Sequence, residues 1–324
     1  MEDLNITRRK FVRTASGVVA AASVGGLAPA FAADKPKKAN CWDMKLATSS
    51  VLFDKLPIEK ICERAERIGV DALDIWGPFA YYATKCYHLE DVKKRLGGKG
   101  LRELLAKHKL KLAAFTLYQK CELSDYWEMI RDYGGGVIVR SDRAKRSSAE
   151  DLSKNMRAFF EGLKPEIELA EKSNSVLAIE NHSGGIFNSF DSFKAFVELN
   201  PNPKRMGIAF APYHLQGYKD TPMADFIKVA GPQMKFFYAW QTQGRDNPAT
   251  HQLPGFGAVD FTPWLQALAD AKYSEYLAIF VHGHAPADEM EANISKSRDY
   301  LLTCRKKVSP GACRKVQKDK TPEA

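Results

Sequence analysis

The sequence predicts an α/β protein, a single (β/α)8 TIM barrel, and three observations carry that expectation. From residue 43 onward, short and almost continuously apolar runs alternate with amphipathic stretches of helical period. Eight such pairs fit within about 260 residues, a length that favours a parallel sheet closed on itself over an open one. No G-x-G-x-x-G or G-x-x-x-x-G-K-[ST] opens any helical stretch, so nothing marks a dinucleotide or P-loop site.

The elements follow in order. Residues 44–48 read as the first strand and 58–68 as the helix behind it. The second strand is 71–76, with a helix at 100–108, and the third strand is 110–117. A polar helical stretch with Tyr126, Trp127 and Met129 precedes the fourth strand at 135–139. Residues 151–172 read as the longest helix, because Met156, Phe159, Phe160, Leu163, Ile167 and Ala170 recur at three and four along one face. The fifth strand, 175–180, precedes a helix at 190–199. The sixth, 205–210, precedes one at 224–230, and the seventh, 234–240, one at 261–271. The eighth strand, 276–281, leads to a closing helix at 288–302.

The remaining segments divide the chain into a signal peptide (1–32), the barrel (33–308) and a basic tail (309–324). Thr7-Arg8-Arg9-Lys10-Phe11-Val12-Arg13 matches the twin-arginine export pattern, an apolar run spans 17–27, and Ala30-Phe31-Ala32 is a small-residue cleavage site. The apolar run is too short to span a bilayer. The expectation is a protein that meets the twin-arginine translocase and ends in the periplasm or otherwise outside the cytoplasm. Replacing Arg8 and Arg9 by Lys should block export; exported protein whose N-terminal sequence still begins at Met1 overturns this.

Composition is that of a folded chain, with 45% hydrophobic and 27% charged residues. Of the net charge of +9, residues 1–33 hold four cations against two anions, and much of the rest sits in the tail from Arg305 to Lys320. A basic tail can touch nucleic acid, but a solvated end is the simpler reading, and no nucleic-acid partner is expected. The six cysteines show no C-x-x-C or zinc-type spacing. Cys304 and Cys313 could close a short loop that ties down the tail.

In such a barrel the reactive groups belong at the C-terminal ends of the strands. There stand Asp74-Ile75-Trp76, Glu180-Asn181-His182, Ala211-Pro212-Tyr213-His214, Tyr238-Ala239-Trp240-Gln241 and Phe280-Val281-His282-Gly283-His284. Four of the seven histidines lie at these strand ends. The candidate catalytic residues are Glu180, His214 and His182. Trp76, Tyr213, Trp240, Gln241 and His282 are candidates for holding substrate, since flat aromatic faces stack on sugar rings.

The stretch from Asp151 to His182 resembles the xylose-isomerase-like family of sugar isomerases and epimerases, which includes the apurinic endonuclease type of barrel. Pro254-Gly255-Phe256-Gly257-Ala258-Val259-Asp260-Phe261 is similar to that family's Pro-Gly-x-Gly-x-x-Asp-(Phe/Trp) stretch. The resemblance implies one divalent metal held by Glu, Asp, His and Glu from the fifth to eighth strands. The metal stabilises the enediolate formed when a carboxylate removes the proton beside a carbonyl. Glu180 matches the first ligand, but Ala211, Tyr238 and Phe280 stand where the other three are expected. A rebuilt site of Glu180, His214 and His284 is the remaining candidate for a metal, whether zinc, manganese or magnesium; the alternative is no metal at all.

Three functions follow from this. The first is an isomerase or epimerase, or a lyase on keto-sugars, acting on a small carbohydrate with an altered metal site. The second is a non-catalytic carbohydrate-binding protein on a degenerate barrel. The third, a nuclease, needs more acidic ligands than remain.

Overall fold

Eight strands, each buried along nearly its whole length, have to be covered on both faces, and the chain does this by closing the sheet and wrapping it in helices. In the computed structural model, which describes residues 42–81, 84–118, 121–142, 144–215, 217, 221–241, 249–283 and 285–308, the strands are β1 (Lys45–Ser49), β2 (Ala72–Trp76), β3 (Lys111–Leu117), β4 (Val137–Ser141), β5 (Val176–Glu180), β6 (Met206–Phe210), β7 (Met234–Ala239) and β8 (Tyr276–Ile279). They form one closed parallel barrel in sequence order, and β8 pairs back onto β1 with Lys45 opposite Tyr276 and Thr48 opposite Ile279. The (β/α)8 reading is thus borne out.

The helices α1 (Ile58–Ile68), α2 (His88–Arg95), α3 (Gly97–Lys107), α4 (Trp127–Tyr133), α5 (Leu152–Gly162), α6 (Lys164–Lys172), α7 (Phe190–Leu199), α8 (Met223–Ala230), α9 (Thr262–Asp270) and α10 (Ala287–Val308) surround the strands. An aromatic belt joins the two layers around α7. Phe193 lies 4.2 Å from Phe187, 5.4 Å from Phe210 and 5.3 Å from Phe226, ring centre to ring centre. Such pairs add about 0.5–1.5 kcal/mol each beyond their buried area. Residue 190 starts α7 because Ser189 and Ser192 form a capping box, each hydroxyl accepting the other's backbone N–H. The last helix closes against the first, where Glu291 accepts from both Arg64 and Arg67.

Three expectations need correction. The helix read at 151–172 is two helices that meet at Leu163, and Pro165 in the first turn of α6 explains the break, because it has no N–H to continue the ladder. The longest helix is α10, at 22 residues. Between β2 and α3 the chain makes an antiparallel ribbon (Phe79–Tyr81 with Thr84–Cys86) and the helix α2, none of which was expected. The twin-arginine segment, the basic tail, Cys313 and His284 lie outside the described residues. Cys304, its proposed partner, is buried.

Candidate active site

The barrel's C-terminal mouth gathers its groups through backbone register. Glu180 ends β5 opposite Ala209 of β6. The loops that follow the two strands are tied by a reciprocal pair: Asn181 Nδ2 donates to the Ala211 carbonyl at 3.0 Å, and the Ala211 N–H donates to Asn181 Oδ1 at 2.8 Å. That clamp brings the single turn Pro212–Leu215 over β5, so that His214 Nε2 lies 3.6 Å from Glu180 Oε1. His182 stacks beside His214, ring centres 4.2 Å apart, and its Nδ1 accepts the Gly184 N–H at 3.3 Å. Asp142 holds the rest of this loop by accepting the Phe187 N–H at 2.6 Å.

Burial decides the electrostatics. Glu180 is 4% exposed, and burial pushes its carboxyl up to about 8, with only His182 opposing. Burial pulls His214 down to about 4. His282 falls to about 4 as well, from burial first and then from His214 and His182. His182 is lowered by burial and by His214. At 3.6 Å, Glu180 and His214 are beyond hydrogen-bonding distance, and both favour the uncharged form. At neutral pH they face each other as a weak acid and a free imidazole, a pairing suited to moving protons.

Three buried polar atoms at this mouth have no hydrogen-bond partner among the described residues: Glu180 Oε2, His214 Nε2 and the Tyr238 hydroxyl. They come from β5, the turn after β6, and β7. Asp74, on β2, is the opposite case. It accepts from Ser49 Oγ at 2.7 Å, Thr116 Oγ1 at 2.7 Å and Trp76 Nε1 at 2.6 Å. Burial still lifts it to about 7, and Glu180 adds to the rise.

Aromatic rings roof these groups. Trp76 stacks on Phe280 at 5.4 Å and on Tyr118 at 5.7 Å. Tyr213 and Trp240 stack in parallel at 4.0 Å, and His282 meets Trp240 edge-on at 4.6 Å.

The sequence reading brought together Glu180, His182, His214, His282, Trp76, Tyr213 and Trp240, and the structure gathers all seven at this mouth. Gln241 must be reassigned. Its amide donates to the His251 and Leu253 carbonyls at 2.6 and 2.7 Å, and its oxygen accepts the Val259 N–H at 3.3 Å, so it fastens the long loop after β7 and has no donor left for a sugar. The Pro-Gly-x-Gly stretch is part of the same fastening. Gly255 (φ +83°) sits where a Cβ would lie 2.7 Å from the Tyr300 ring, and Ser297 donates to the Pro254 carbonyl at 2.9 Å. Asp74 and Asn181 were missed; the only signal was a polar residue at an inward strand end.

The residues present do not fit the metal that the resemblance implies. Ala211 and Phe280 offer no donor, and a buried neutral tyrosine stands in place of an imidazole. Among the described residues no group of three His, Cys, Asp or Glu side chains could hold an ion. His284, the third ligand proposed with Glu180 and His214, is outside that set.

A family model described as xylose isomerase-like TIM barrel matches residues 62–304. Among solved structures the chain is similar to an IolI protein with a bound zinc atom, at 16% identity and TM-score 0.61 over 82% of this chain and 100% of that one. It is similar to the probable 3-DHS dehydratase AsbF of Bacillus anthracis, at 13% and 0.63 over 80% and 99%. It is also similar to the 3-keto-D-glucoside 4-epimerase YcjR of E. coli, at 15% and 0.60 over 81% and 100%. At these identities the likeness is one of fold. The sequence matches no curated protein.

Proposed function

The chain belongs to the xylose isomerase-like TIM barrel family, and from that premise we propose that it is an exported isomerase or epimerase of an uncharged carbohydrate, working by proton abstraction beside a carbonyl. One observation carries this reading: three buried polar atoms, Glu180 Oε2, His214 Nε2 and the Tyr238 hydroxyl, stand without partners at one mouth. Buried polar groups are nearly always paired, so an orphaned set calls for a ligand rich in hydroxyl and carbonyl oxygens. The aromatic roof suits the apolar face of a sugar ring.

In this reading the ionised fraction of Glu180 takes the proton from the carbon next to the carbonyl. The C–H electron pair becomes the C=C bond of an enediolate, and the carbonyl π pair moves to oxygen. For isomerisation the proton of the adjacent hydroxyl passes to that oxygen, and Glu180, now an acid, returns its own proton to the former carbonyl carbon. For epimerisation the same carbon is reprotonated on its other face by a water molecule, and the hydroxide left behind takes the proton that Glu180 removed. None of these steps requires a metal donor set. The similar 3-keto-D-glucoside 4-epimerase acts on a keto-sugar by name, which supports the substrate class.

The test is solvent exchange. The protein in D2O with a panel of ketoses and 3-keto-glycosides should show deuterium entering one carbon-bound position by proton NMR. The rate should rise as pH passes through about 8, because only ionised Glu180 is a base.

A second reading, a carbohydrate-binding protein, draws on Phe280 and Trp240, which close over the same groups at 2% and 0% exposure. Sugars that bind tightly with no exchange at any carbon would favour it.

A further inference from the structure

We propose that Tyr238 is a catalytic residue whose hydroxyl donates to the substrate's carbonyl oxygen and holds the negative charge that develops there, the task a divalent ion performs where a full ligand set exists. This rests on the reading of the site as one that enolises a carbohydrate. Tyr238 lies on β7, one strand from His214 and two from Glu180 around the barrel. Its ring is fixed by Phe236, edge-on at 4.8 Å, and by Phe280 at 5.1 Å, both without polar atoms to offer it.

The hydroxyl is buried and makes no hydrogen bond among the described residues. A hydrogen-bonding interaction with Thr116 is the one influence that favours the phenolate, and the Thr116 proton is given to Asp74 Oδ1 at 2.7 Å. Burial, Glu180 and Asp74 all disfavour the phenolate, so the group stays a donor. A fixed donor in a water-poor site needs no reorganisation when charge appears, which is what makes such donors effective. The electron count is unchanged: as Glu180 removes the proton, the carbonyl π pair moves to oxygen and the Tyr238 O–H bond points at it. Reprotonation reverses both shifts, so no oxidant or further reactant is consumed.

The test uses full-length protein dialysed against a chelator and a pair of four-carbon probes. Sodium D-erythronate carries a planar, charged carboxylate that imitates the enediolate, and erythritol is its uncharged counterpart. Trp76 and Trp240 stand beside the site, so intrinsic fluorescence reads binding. The wild type should prefer erythronate. Tyr238→Phe should lose about tenfold or more of erythronate affinity and leave erythritol within about twofold. Because the hydroxyl has no partner to lose, the variant should melt no lower than the wild type.

Three results overturn the proposal. One is a Tyr238→Phe variant that keeps erythronate affinity within about threefold. Another is a wild type that prefers neither probe. The third is an anion preference that vanishes with the chelator and returns with added zinc. Failure of the exchange assay with the erythronate preference and its loss in Tyr238→Phe intact would instead sink the enzymatic reading and leave the donor assignment standing.

Discussion

Glutamine in place of Glu180 is expected to lower the exchange rate by about 10²–10⁴-fold, the usual worth of a positioned general base, and at the same time to stabilise the protein above neutral pH. The second effect follows from the displaced titration. Below about pH 4.5 the carboxyl is protonated in both the folded and unfolded chain, and stability is indifferent to it. Between its ordinary value of 4.5 and about 8 the unfolded chain releases the proton and the folded chain keeps it, so stability falls as pH rises; above about 8 the loss is complete. At roughly 1.4 kcal/mol per unit the wild type gives up a few kcal/mol across that window. Glu180→Gln has no such window. Urea unfolding at pH 8.5 should therefore show the variant more stable by about 2–4 kcal/mol, and unfolding at pH 5 should show little difference. Equal stability at both values would mean that the carboxyl ionises freely in the folded state. Asp74 drives stability the same way, its value displaced from 3.8 to about 7, and is present in both proteins. His214, lowered from 6.5 to about 4, acts in the other direction and costs stability as pH falls through that range.

The second large effect is structural. Gly134, Gly135 and Gly136 connect α4 to β4 with φ of +116°, +87° and +155°. At Gly135 a Cβ would lie 2.1 Å from the Asn174 carbonyl oxygen and 2.8 Å from that of Ser173, both backbone atoms that cannot swing away. Gly135→Ala combines an unfavourable left-handed conformation with a backbone clash. It should cost about 3–5 kcal/mol, read as a drop in the urea midpoint with little change in slope. Gly162→Ala is the matched comparison. It lies at the C-terminal end of α5 with nothing within 4 Å of the added carbon, and should be neutral or gain up to about 1 kcal/mol.

The elements that were legible in the sequence are those whose partners lie close by or whose signal is periodic. The strand ending at Glu180 and the helices at 58–68 and 190–199 were read to within a residue or two, because apolar runs and helical spacing are local facts. The ribbon at 79–86 has strands of three residues, too short to show a period. The break at Leu163 was hidden by apolar spacing that runs on through it.

In the site, Glu180, His182 and His214 could be found because a barrel assigns strand ends to one rim. Asp74 could not, since its donors Ser49, Thr116 and Trp76 come from three strands and only the pairing of β2 with both its neighbours brings Ser49 and Thr116 to it. Gln241 was misread for a similar reason: the carbonyls it holds, those of His251 and Leu253, lie 10 and 12 residues further along the loop.

The pairing of β8 with β1 also governs the order in which the molecule can come into being. Thr48 and Ile279, joined across that seam, are 231 residues apart, so during synthesis the first strand keeps one edge bare until nearly the whole barrel has been made. Contacts of that span carry a heavy loop-closure cost and are slow to form. A nascent barrel thus spends most of its synthesis as an open, curved sheet with an unpaired edge at each end, the kind of edge that recruits another chain. The seam is the final step, and a chain halted before Tyr276 has no strand with which to cover either edge.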